Sequence, residues 1–309
     1  MKKIAISIGD LNGIGIQLAL ENHEAIKKVI DPLYCIDSTM LKQASELLNI
    51  SIPSDFKTVK KIAKTFTIEP AKVTKESGVY SFASFLKAVE LSKTQEVDGI
   101  MTLPIHKKAW ELAGVSFKGH TDALREFFFT PAIMMLGSPK MYVALYTEHI
   151  PLQEVSQEVQ DVQKLSEFLI DFYENIVENL KENEQIGLLG LNPHAGDDGV
   201  LGNEEIQINE ARDLAHKSIG KKIYTSPLVP DVAFTPNSRK YHRYFVAMYH
   251  DQGLAPLKAL YFDEGINISL NLPITRTSVD HGTAFDIAYK NVQLNNLSYL
   301  NAIGYFVTT

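Results

Sequence analysis

The sequence contains a single cysteine, Cys35, among its 309 residues. One thiol can form no disulfide within the chain and excludes a metal cluster held by several thiolates. No stretch approaches the roughly 18 consecutive apolar residues of a membrane-spanning helix. We therefore expect a cytoplasmic protein. We interpret the short apolar run that begins at Lys3 as a first β-strand rather than as part of a secretion signal.

An excess of basic residues is also missing. Lys and Arg number 30 against 37 Asp and Glu, which gives a net charge of −7, and no long basic run occurs. This balance argues against nucleic acid as the main partner. The content of 45% hydrophobic and 22% charged residues is ordinary for a globular protein, and the length allows one large domain or two of average size.

Short apolar runs alternate with longer helical patterns along the chain. Five runs have the nearly continuous hydrophobicity of strands covered on both faces: 3–9, 99–104, 141–147, 186–192 and 244–250. Three segments have the pattern of helices: 80–93, 152–183 and 203–220. In the last of these, Asn203 is a candidate N-cap and Gly220 a candidate stop. This alternation predicts an α/β fold with a largely parallel sheet.

Three of the predicted strands have a histidine at or just beyond their end. His149 follows "VALYT", His194 follows "GLLGLN", and His250 follows "FVAMY". Ligand sites in parallel sheets collect at the carboxyl ends of the strands, and three histidines with one open position are a known form of catalytic zinc site. No local metal motif such as HExxH occurs. The residues alone therefore leave two interpretations open, metal ligands or hydrogen-bonded residues at strand ends.

A second polar set has the composition of an anion site. Glycine, hydroxyls and cations occur together in "KGHTDA", which holds His120 and Thr121, and in "LPITRTSVDHGTA", which holds Arg276. Phosphate and carboxylate groups bind to backbone N–H groups, short donors and fixed positive charge. Two solvated loops are the alternative. Lys258 and Asn267 lie among apolar residues, where a polar group needs a partner.

Several longer motifs occur in an order that resembles one family. They are "LPIHK" at 103–107, "GHTD" at 119–122, "HIPL" at 149–152, "GLNPHAGDDGVLGNEE" at 190–205, "MYHDQGLAPLK" at 248–258 and "GINISLNLPITRTSVDHGTA" at 265–284. Almost from end to end, the chain resembles the 4-hydroxythreonine-4-phosphate dehydrogenases, nicotinamide-dependent enzymes of pyridoxal phosphate biosynthesis. The motifs "NPHAG", "MYHDQG" and "RTSVDHGTA" are highly specific when they occur together.

The resemblance implies an α/β fold like that of isocitrate and isopropylmalate dehydrogenases. Such a fold has two α/β/α domains with the active site in the cleft between them. We predict an outer, cofactor-side domain at residues 1–125 plus 275–309. A central domain for metal binding and dimerisation is predicted at 126–274. The resemblance also implies a homodimer whose active site is shared between the subunits.

The family's functional residues fall on definite positions of this sequence. The metal ligands implied are His149, His194 and His250, one of them expected from the partner subunit. The substrate contacts implied are His120, Thr121, Lys258, Asn267 and Arg276. The candidates for proton transfer are Lys258 and Asp231. The cofactor contacts implied, by likeness to the adenosine-binding loop of isopropylmalate dehydrogenase, are His281, Gly282, Thr283 and Asp286.

The reaction implied is the NAD-dependent, divalent-metal-dependent oxidation of 4-phosphooxy-L-threonine to 2-amino-3-oxo-4-phosphooxybutanoate, which decarboxylates to 3-amino-2-oxopropyl phosphate. A carboxylate at Asp286 would favour NAD over NADP, because it repels a 2′-phosphate. Zinc is the first choice of metal, with cobalt and magnesium as alternatives. The rival functions are a threonate or erythronate 4-phosphate dehydrogenase, a zinc-dependent hydrolase and a non-enzymatic phosphometabolite-binding protein.

The sequence departs from the family's pattern at a few positions. Leu103 stands where glycine is usual, and Glu148 precedes His149 where threonine is usual. The first loop, "GDLNGIGIQ", also differs, and the chain after Tyr289 matches poorly. The predicted metal and substrate residues are intact.

Overall fold

The apolar runs of the sequence become short, buried strands. The computed structural model describes residues 1–308. Within them lie the strands β1 (Lys3–Ser7), β2 (Asp31–Cys35), β3 (Gly99–Thr102), β4 (Ile133–Ser138), β5 (Met141–Leu145), β6 (Gly187–Leu188), β7 (Tyr244–Ala247), β8 (Ile266–Leu270) and β9 (Thr275–Val279). Every residue of β3, β5 and β7 is buried, as expected for strands covered on both faces.

Helices separate most of the strands. They are α1 (Gly15–Ile26), α2 (Ser38–Leu48), α3 (Lys75–Lys93), α4 (Lys107–Leu112), α5 (His120–Phe128), α6 (Leu152–Val159), α7 (Val162–Ile176), α8 (Glu204–Ile219), α9 (Pro230–Ala233), α10 (His250–Tyr261) and α11 (Leu297–Thr308). None of the helices within residues 1–308 combines the length and the apolar character needed to cross a membrane. The predicted α/β class is confirmed.

The chain divides into two compact units. Unit 1 comprises Met1–Thr130, Ile266–Ile268 and Leu272–Thr309, and unit 2 comprises Pro131–Gly265 and Ser269–Asn271. Both units therefore contain segments that are distant in the sequence.

Unit 1 is built on parallel strands in the order β2-β1-β3-β9. Helix α3 packs on β1, and α11 packs on β9. A core cluster of buried side chains includes Phe85 from α3 and Trp110 from α4. The indole N–H of Trp110 donates to the hydroxyl of Ser81 at 2.9 Å, so the polar atom of this buried ring is satisfied.

Unit 2 contains strands in the order β4-β5-β7-β6. β4 and β5 pair antiparallel, whereas β5, β7 and β6 are parallel. Leu254 and Leu257 of α10 belong to one core cluster with Val143 of β5 and Phe245 of β7. Because β5, β6 and β7 are parallel, their carboxyl ends lie at one edge of the sheet.

Two local predictions need correction. The predicted helix 152–183 is broken into α6 and α7, because the carboxylate of Asp161 accepts the backbone N–H of Lys164 at 3.0 Å and caps a new helix. Asn203 precedes α8 as predicted but makes no capping bond with its side chain. Instead, the Glu204 carboxylate accepts the Asn203 N–H at 3.1 Å. Gly220 ends α8 in the left-handed conformation, as predicted.

Candidate active site

Two of the predicted metal ligands lie side by side in unit 2. His149 follows the end of β5, and His250 is the first residue of α10, three residues after β7 ends. Their ring centroids are 5.6 Å apart, and the ring planes are inclined by 42°. Two imidazoles that share a tetrahedral zinc at about 2.0–2.1 Å hold their centroids roughly 5 Å apart. The pair therefore has a separation that suits one shared ion.

A carboxylate holds one ring of this pair. Nδ1 of His250 lies 2.6 Å from Oδ1 of Asp251. Because an ionised carboxylate only accepts hydrogen bonds, Nδ1 is the donor in this contact, and in the neutral imidazole Nε2 then carries the lone pair that a metal needs. A carboxylate behind a histidine is the usual way in which a metal-binding imidazole is oriented and made more basic.

His194 lies on an exposed loop after β6. The residues His194–Asp198 all have positive φ, so this segment forms a left-handed turn. Its base is tied to α8, because Oε1 of Glu205 accepts the backbone N–H groups of Leu191 and Asn192, both at 2.8 Å. The amide of Asn192 also donates to Oε2 of Glu205 at 2.9 Å. A buried carboxylate thus anchors the loop that carries the third predicted ligand.

Within residues 1–308, only one group of three possible ligand atoms lies within 4.8 Å of one another. It is a different group, formed in unit 1 by His23, Glu24 and Asp55. Nζ of Lys27 lies 2.8 Å from Glu24 and 2.9 Å from Asp55, so both carboxylates are already ion-paired with one ammonium. Nδ1 of His23 is also engaged, at 2.9 Å from the hydroxyl of Tyr34. We therefore interpret this group as an ion-pair cluster rather than a metal site.

The two candidates for proton transfer also belong to unit 2. Lys258 lies on α10 and is half-buried, with its ammonium 5.9 Å from the ring centroid of Phe262. Asp231 is exposed in the first turn of α9. Their assignment remains a prediction.

His120 in unit 1 is buried against aromatic rings. It is the first residue of α5, and its ring meets Phe85 and Trp110 edge-on, with centroids 4.8 and 5.2 Å apart. Burial lowers the pKa of His120 well below 6.5, and the charge of Arg276 lowers it further. The imidazole is therefore neutral. Its Nε2 is buried and makes no hydrogen bond among residues 1–308, so it is available to a ligand.

Arg276 is buried on β9, next to β3. Its Nε and Nη2 donate to the hydroxyl of Thr102 at 3.0 and 2.5 Å. Burial lowers the pKa of the guanidinium to about 9, which reflects the cost of removing this cation from water. Thr121 is also buried, and the buried Oδ1 of Asn267 on β8 has no hydrogen-bond partner within the described chain. Unit 1 thus holds several of the predicted substrate contacts in water-poor surroundings.

The predicted cofactor residues form a loop after β9. The loop is joined to the segment after β1, because the carbonyl of Thr283 accepts the N–H of Ile14 at 3.1 Å and the hydroxyl of Tyr289 donates to the carbonyl of Leu11 at 2.6 Å. Thr283 is buried, whereas Gly282 and Asp286 are exposed. Nε2 of His281 is buried without a hydrogen-bond partner in the part of the chain described.

Three polar residues next to the predicted metal and substrate residues were not identified from the sequence. Thr102 holds Arg276, Gln252 bonds to backbone groups near His250, and Glu205 anchors the His194 loop. Gln252 and Glu205 stand inside the motifs that were quoted, and each is a buried polar side chain. Most of their partners are backbone groups, which leave no mark on the sequence.

The chain is similar to curated proteins over nearly its whole length. It is 55% identical to the 4-hydroxythreonine-4-phosphate dehydrogenase of Sulfurimonas denitrificans, over 97% of this chain and 95% of that protein. It is 47% identical to the enzyme of the same name from Campylobacter fetus, over 99% of this chain and 98% of that protein.

A solved structure and a family model agree with these relatives. The crystal structure of 4-hydroxythreonine-4-phosphate dehydrogenase from Klebsiella pneumoniae is similar to this fold with a TM-score of 0.84 and 27% identity, and the match covers 100% of both chains. Residues 28–306 match the model of the family described as pyridoxal phosphate biosynthetic protein PdxA. The family predicted from the motifs is thereby confirmed: this chain belongs to the PdxA family.

Proposed function

We propose that this PdxA-family enzyme oxidises the hydroxyl group of 4-phosphooxy-L-threonine with NAD and a divalent cation. The product, 2-amino-3-oxo-4-phosphooxybutanoate, would then lose CO2 to give 3-amino-2-oxopropyl phosphate. The observation that carries the proposal is the pairing of His149 with His250 at 5.6 Å. The chain also buries a nitrogen of His120 that has no hydrogen-bond partner among residues 1–308 and lies within the influence of the Arg276 charge.

The phosphate end is assigned to His120, Thr121 and Arg276. A neutral imidazole can donate one N–H to a phosphate oxygen, and a guanidinium adds charge-assisted donors. Both groups are buried, where the anion meets little competition from water. A bound phosphate would in turn offset the cost of burying the Arg276 cation. Asn267, whose Oδ1 has no hydrogen-bond partner among the described residues, can accept a hydrogen bond from the substrate.

The hydroxyl end is assigned to His149, His194 and His250. Nitrogen donors suit zinc first, with cobalt as an alternative; magnesium prefers oxygen ligands and fits an all-nitrogen site less well. A bound divalent cation would lower the pKa of the substrate hydroxyl and neutralise developing negative charge. Asp251 holds the His250 ring with Nε2 free, and Glu205 anchors the loop of His194. Lys258 or Asp231 would remove the hydroxyl proton.

The cofactor is assigned to His281, Gly282, Thr283 and Asp286. The exposed carboxylate of Asp286 can accept hydrogen bonds from the two hydroxyls of the adenosine ribose. The same negative charge would repel a 2′-phosphate, which supports NAD over NADP. Nε2 of His281, which has no hydrogen-bond partner within residues 1–308, offers a further polar contact.

A homodimer would complete the metal site. Within residues 1–308 of one chain, His194 forms no cluster with two other ligand residues within 4.8 Å, so a set drawn from two copies is the simplest way to bring three histidines to one ion. Apolar side chains close to the histidines in sequence are exposed: Leu152 by 68%, Val200 by 76% and Ile206 by 54%. Burying them against a second copy would stabilise the dimer through the hydrophobic effect.

One assay tests the proposal. The protein is mixed with NAD, Zn²⁺ or Co²⁺ and 4-phosphooxy-L-threonine, and the formation of NADH is followed by absorbance. We expect turnover in the wild type and in His242→Ala, a change at another histidine of unit 2 whose Nδ1 lies 2.9 Å from the carbonyl of Gln185. His194→Ala should lose both turnover and bound metal. An active His194→Ala enzyme would contradict the metal assignment.

The same assay separates the rival functions. Faster turnover of erythronate or threonate 4-phosphate would move the assignment to those four-carbon acids. Loss of substrate without NADH formation would favour a zinc-dependent hydrolase. Tight binding of the phosphorylated compound with no chemical change would favour a binding protein.

A further inference from the structure

Met248, at the end of β7, has both of its polar backbone groups held by side chains. Its N–H donates to Oε1 of Gln252 at 2.7 Å. Its carbonyl accepts the hydroxyl of Thr147 at 2.7 Å and the N–H of Thr147 at 3.2 Å. All three residues are buried. The end of β7 is therefore fixed from two sides.

The same side chains reach the neighbouring strands. The amide nitrogen of Gln252 donates to the carbonyl of Gly190 at 2.7 Å, just beyond the end of β6. Thr147 itself follows β5. Thr147, Met248 and Gln252, which we term the strand-end brace, thus connect the carboxyl ends of β5, β6 and β7 through buried hydrogen bonds.

The three histidines assigned to the metal follow directly after the brace. His149 is two residues beyond Thr147, His250 is two beyond Met248, and His194 is four beyond Gly190. A short stretch of chain transmits any shift of a strand end to the imidazole that follows it. Metal–nitrogen distances tolerate deviations of only about 0.2 Å, so small shifts are enough to weaken binding.

We infer that Thr147 and Gln252 are positioning residues that set the affinity of the histidine site for its divalent cation. The inference rests on the proposed function, because it requires that these histidines bind an ion. The Thr147 hydroxyl donates to a backbone carbonyl, and both amide atoms of Gln252 bond to backbone groups. They act on the ion through the strand ends rather than by direct contact.

A purely structural role makes a different prediction. Buried backbone groups need partners in any fold, so loss of the brace would lower stability in either case. A positioning role makes one further prediction. A variant of the brace should bind the metal more weakly than a variant that loses the same stability through a change elsewhere in unit 2. Thr225 provides the comparison, because its hydroxyl accepts the N–H of Leu188 in β6 at 3.0 Å without being part of the brace.

The test is a Co²⁺ titration of the metal-free, full-length protein, followed by visible absorption, with chelator competition to measure Zn²⁺. Thr147→Val keeps the shape of the side chain and removes the hydroxyl, whereas Thr147→Ser retains it. We expect Thr147→Val and Gln252→Met to bind both ions roughly 10- to 100-fold more weakly, a loss of the size found when groups that orient metal ligands are removed. Thr147→Ser and Thr225→Val should bind like the wild type.

The outcomes separate this inference from the proposed function. If His149→Ala and His194→Ala lose Co²⁺ while Thr147→Val binds no more weakly than Thr225→Val, the positioning role is wrong and the metal site stands. If the wild type binds neither ion, the metal assignment fails and the inference fails with it. Should Gln252→Met not fold, the comparison of Thr147→Val with Thr147→Ser decides alone.

Discussion

The hydroxyl of Thr102 accepts two hydrogen bonds from one side chain, from Nε of Arg276 at 3.0 Å and from Nη2 at 2.5 Å. The two residues lie on adjacent parallel strands and are both buried. Two bonds to one oxygen fix the plane of the guanidinium. Arg276 is therefore oriented before any anion arrives, which reduces the entropy lost on binding.

Replacing Thr102 by valine should weaken substrate binding. The change removes the acceptor for two charge-assisted bonds, and bonds of this kind contribute about 1.5–3 kcal/mol, which corresponds to roughly 10- to 100-fold in affinity. We expect KM for the phosphorylated substrate to rise by up to this amount, with a smaller change in kcat. Steady-state kinetics measure both. Thr102→Ser keeps the hydroxyl and should retain the wild-type KM; equal KM values in Thr102→Val and Thr102→Ser would contradict the role of the hydroxyl.

The stability of unit 1 should fall in mild acid because of His120. Its pKa is lowered well below 6.5 in the folded protein, whereas the unfolded chain takes up a proton near 6.5. As the pH falls through 6.5, only the unfolded state gains this proton, so the free energy of unfolding decreases by up to about 1.4 kcal/mol per pH unit. Urea unfolding followed by the fluorescence of Trp110, the chain's only tryptophan, measures it.

His120→Asn supplies the comparison for this pH dependence. The variant lacks the titrating group, so the difference in unfolding free energy between wild type and variant should shrink between pH 7 and pH 5. His242→Asn, in unit 2, should leave the pH dependence of the Trp110 signal as in the wild type. A slope that is unchanged in His120→Asn would show that other groups cause the acid sensitivity.

Alanine substitutions at two glycines of unit 2 distinguish the cost of backbone strain from the cost of steric crowding. Gly196 has φ +84°, and a Cβ there would lie 2.7 Å from Oε2 of Glu205 and 2.8 Å from the carbonyl of Gly202. Gly220 has φ +75° and open space around it. Gly220→Ala should cost about 1–2 kcal/mol of stability through strain alone and leave metal affinity unchanged. Gly196→Ala should cost more and also weaken Co²⁺ binding, because it displaces the His194 loop.

Thermal unfolding and Co²⁺ titration of the two alanine variants measure these effects. Equal losses of stability and equal metal affinities would mean that contact with Glu205 does not hold the loop in place.

Neutralising Asp286 should relax the choice of cofactor. Asp286→Asn keeps the size of the side chain and removes the charge that would repel a 2′-phosphate. We expect the ratio of kcat/KM for NAD to that for NADP to fall by roughly tenfold, mainly through better use of NADP. Asp280→Asn, a change at a second acidic residue near the end of β9, should leave the ratio as it is. An unaltered ratio in Asp286→Asn would remove this residue from the cofactor site.

Part of this architecture could be read from the sequence because parallel strands align their ends. Apolar runs that stop near His149 and His250 predict strand ends at both residues, but they leave open whether the two histidines converge. The structure places their ring centroids 5.6 Å apart. Strand β9 is one that an apolar pattern does not reveal. "TRTSV" has the composition of a loop, but it is a buried strand. Its polar groups are satisfied at long range, as when the hydroxyl of Thr277 donates to the carbonyl of Ala302 at 3.0 Å.

The contacts that shape the candidate site could not be predicted for the same reason. Gln252 bonds to Gly190, 62 residues away, and Arg276 bonds to Thr102, 174 residues away. In each case at least one partner is a backbone group or a common hydroxyl, so no residue type at the distant position identifies the pair. The break between α6 and α7, by contrast, coincides with Asp161, a capping residue that was present in the sequence.

The left-handed turn at His194–Asp198 has a consequence for the protein's resistance to proteolysis. Four of its residues carry a Cβ, and each is held in a conformation that costs L-residues about 1–2 kcal/mol. Without an ion to hold His194, this exposed segment should be among the first parts of unit 2 to open and so a preferred place for a protease to nick the chain. Zinc would then protect the polypeptide from digestion, and a chelator would shorten its life in a cell extract.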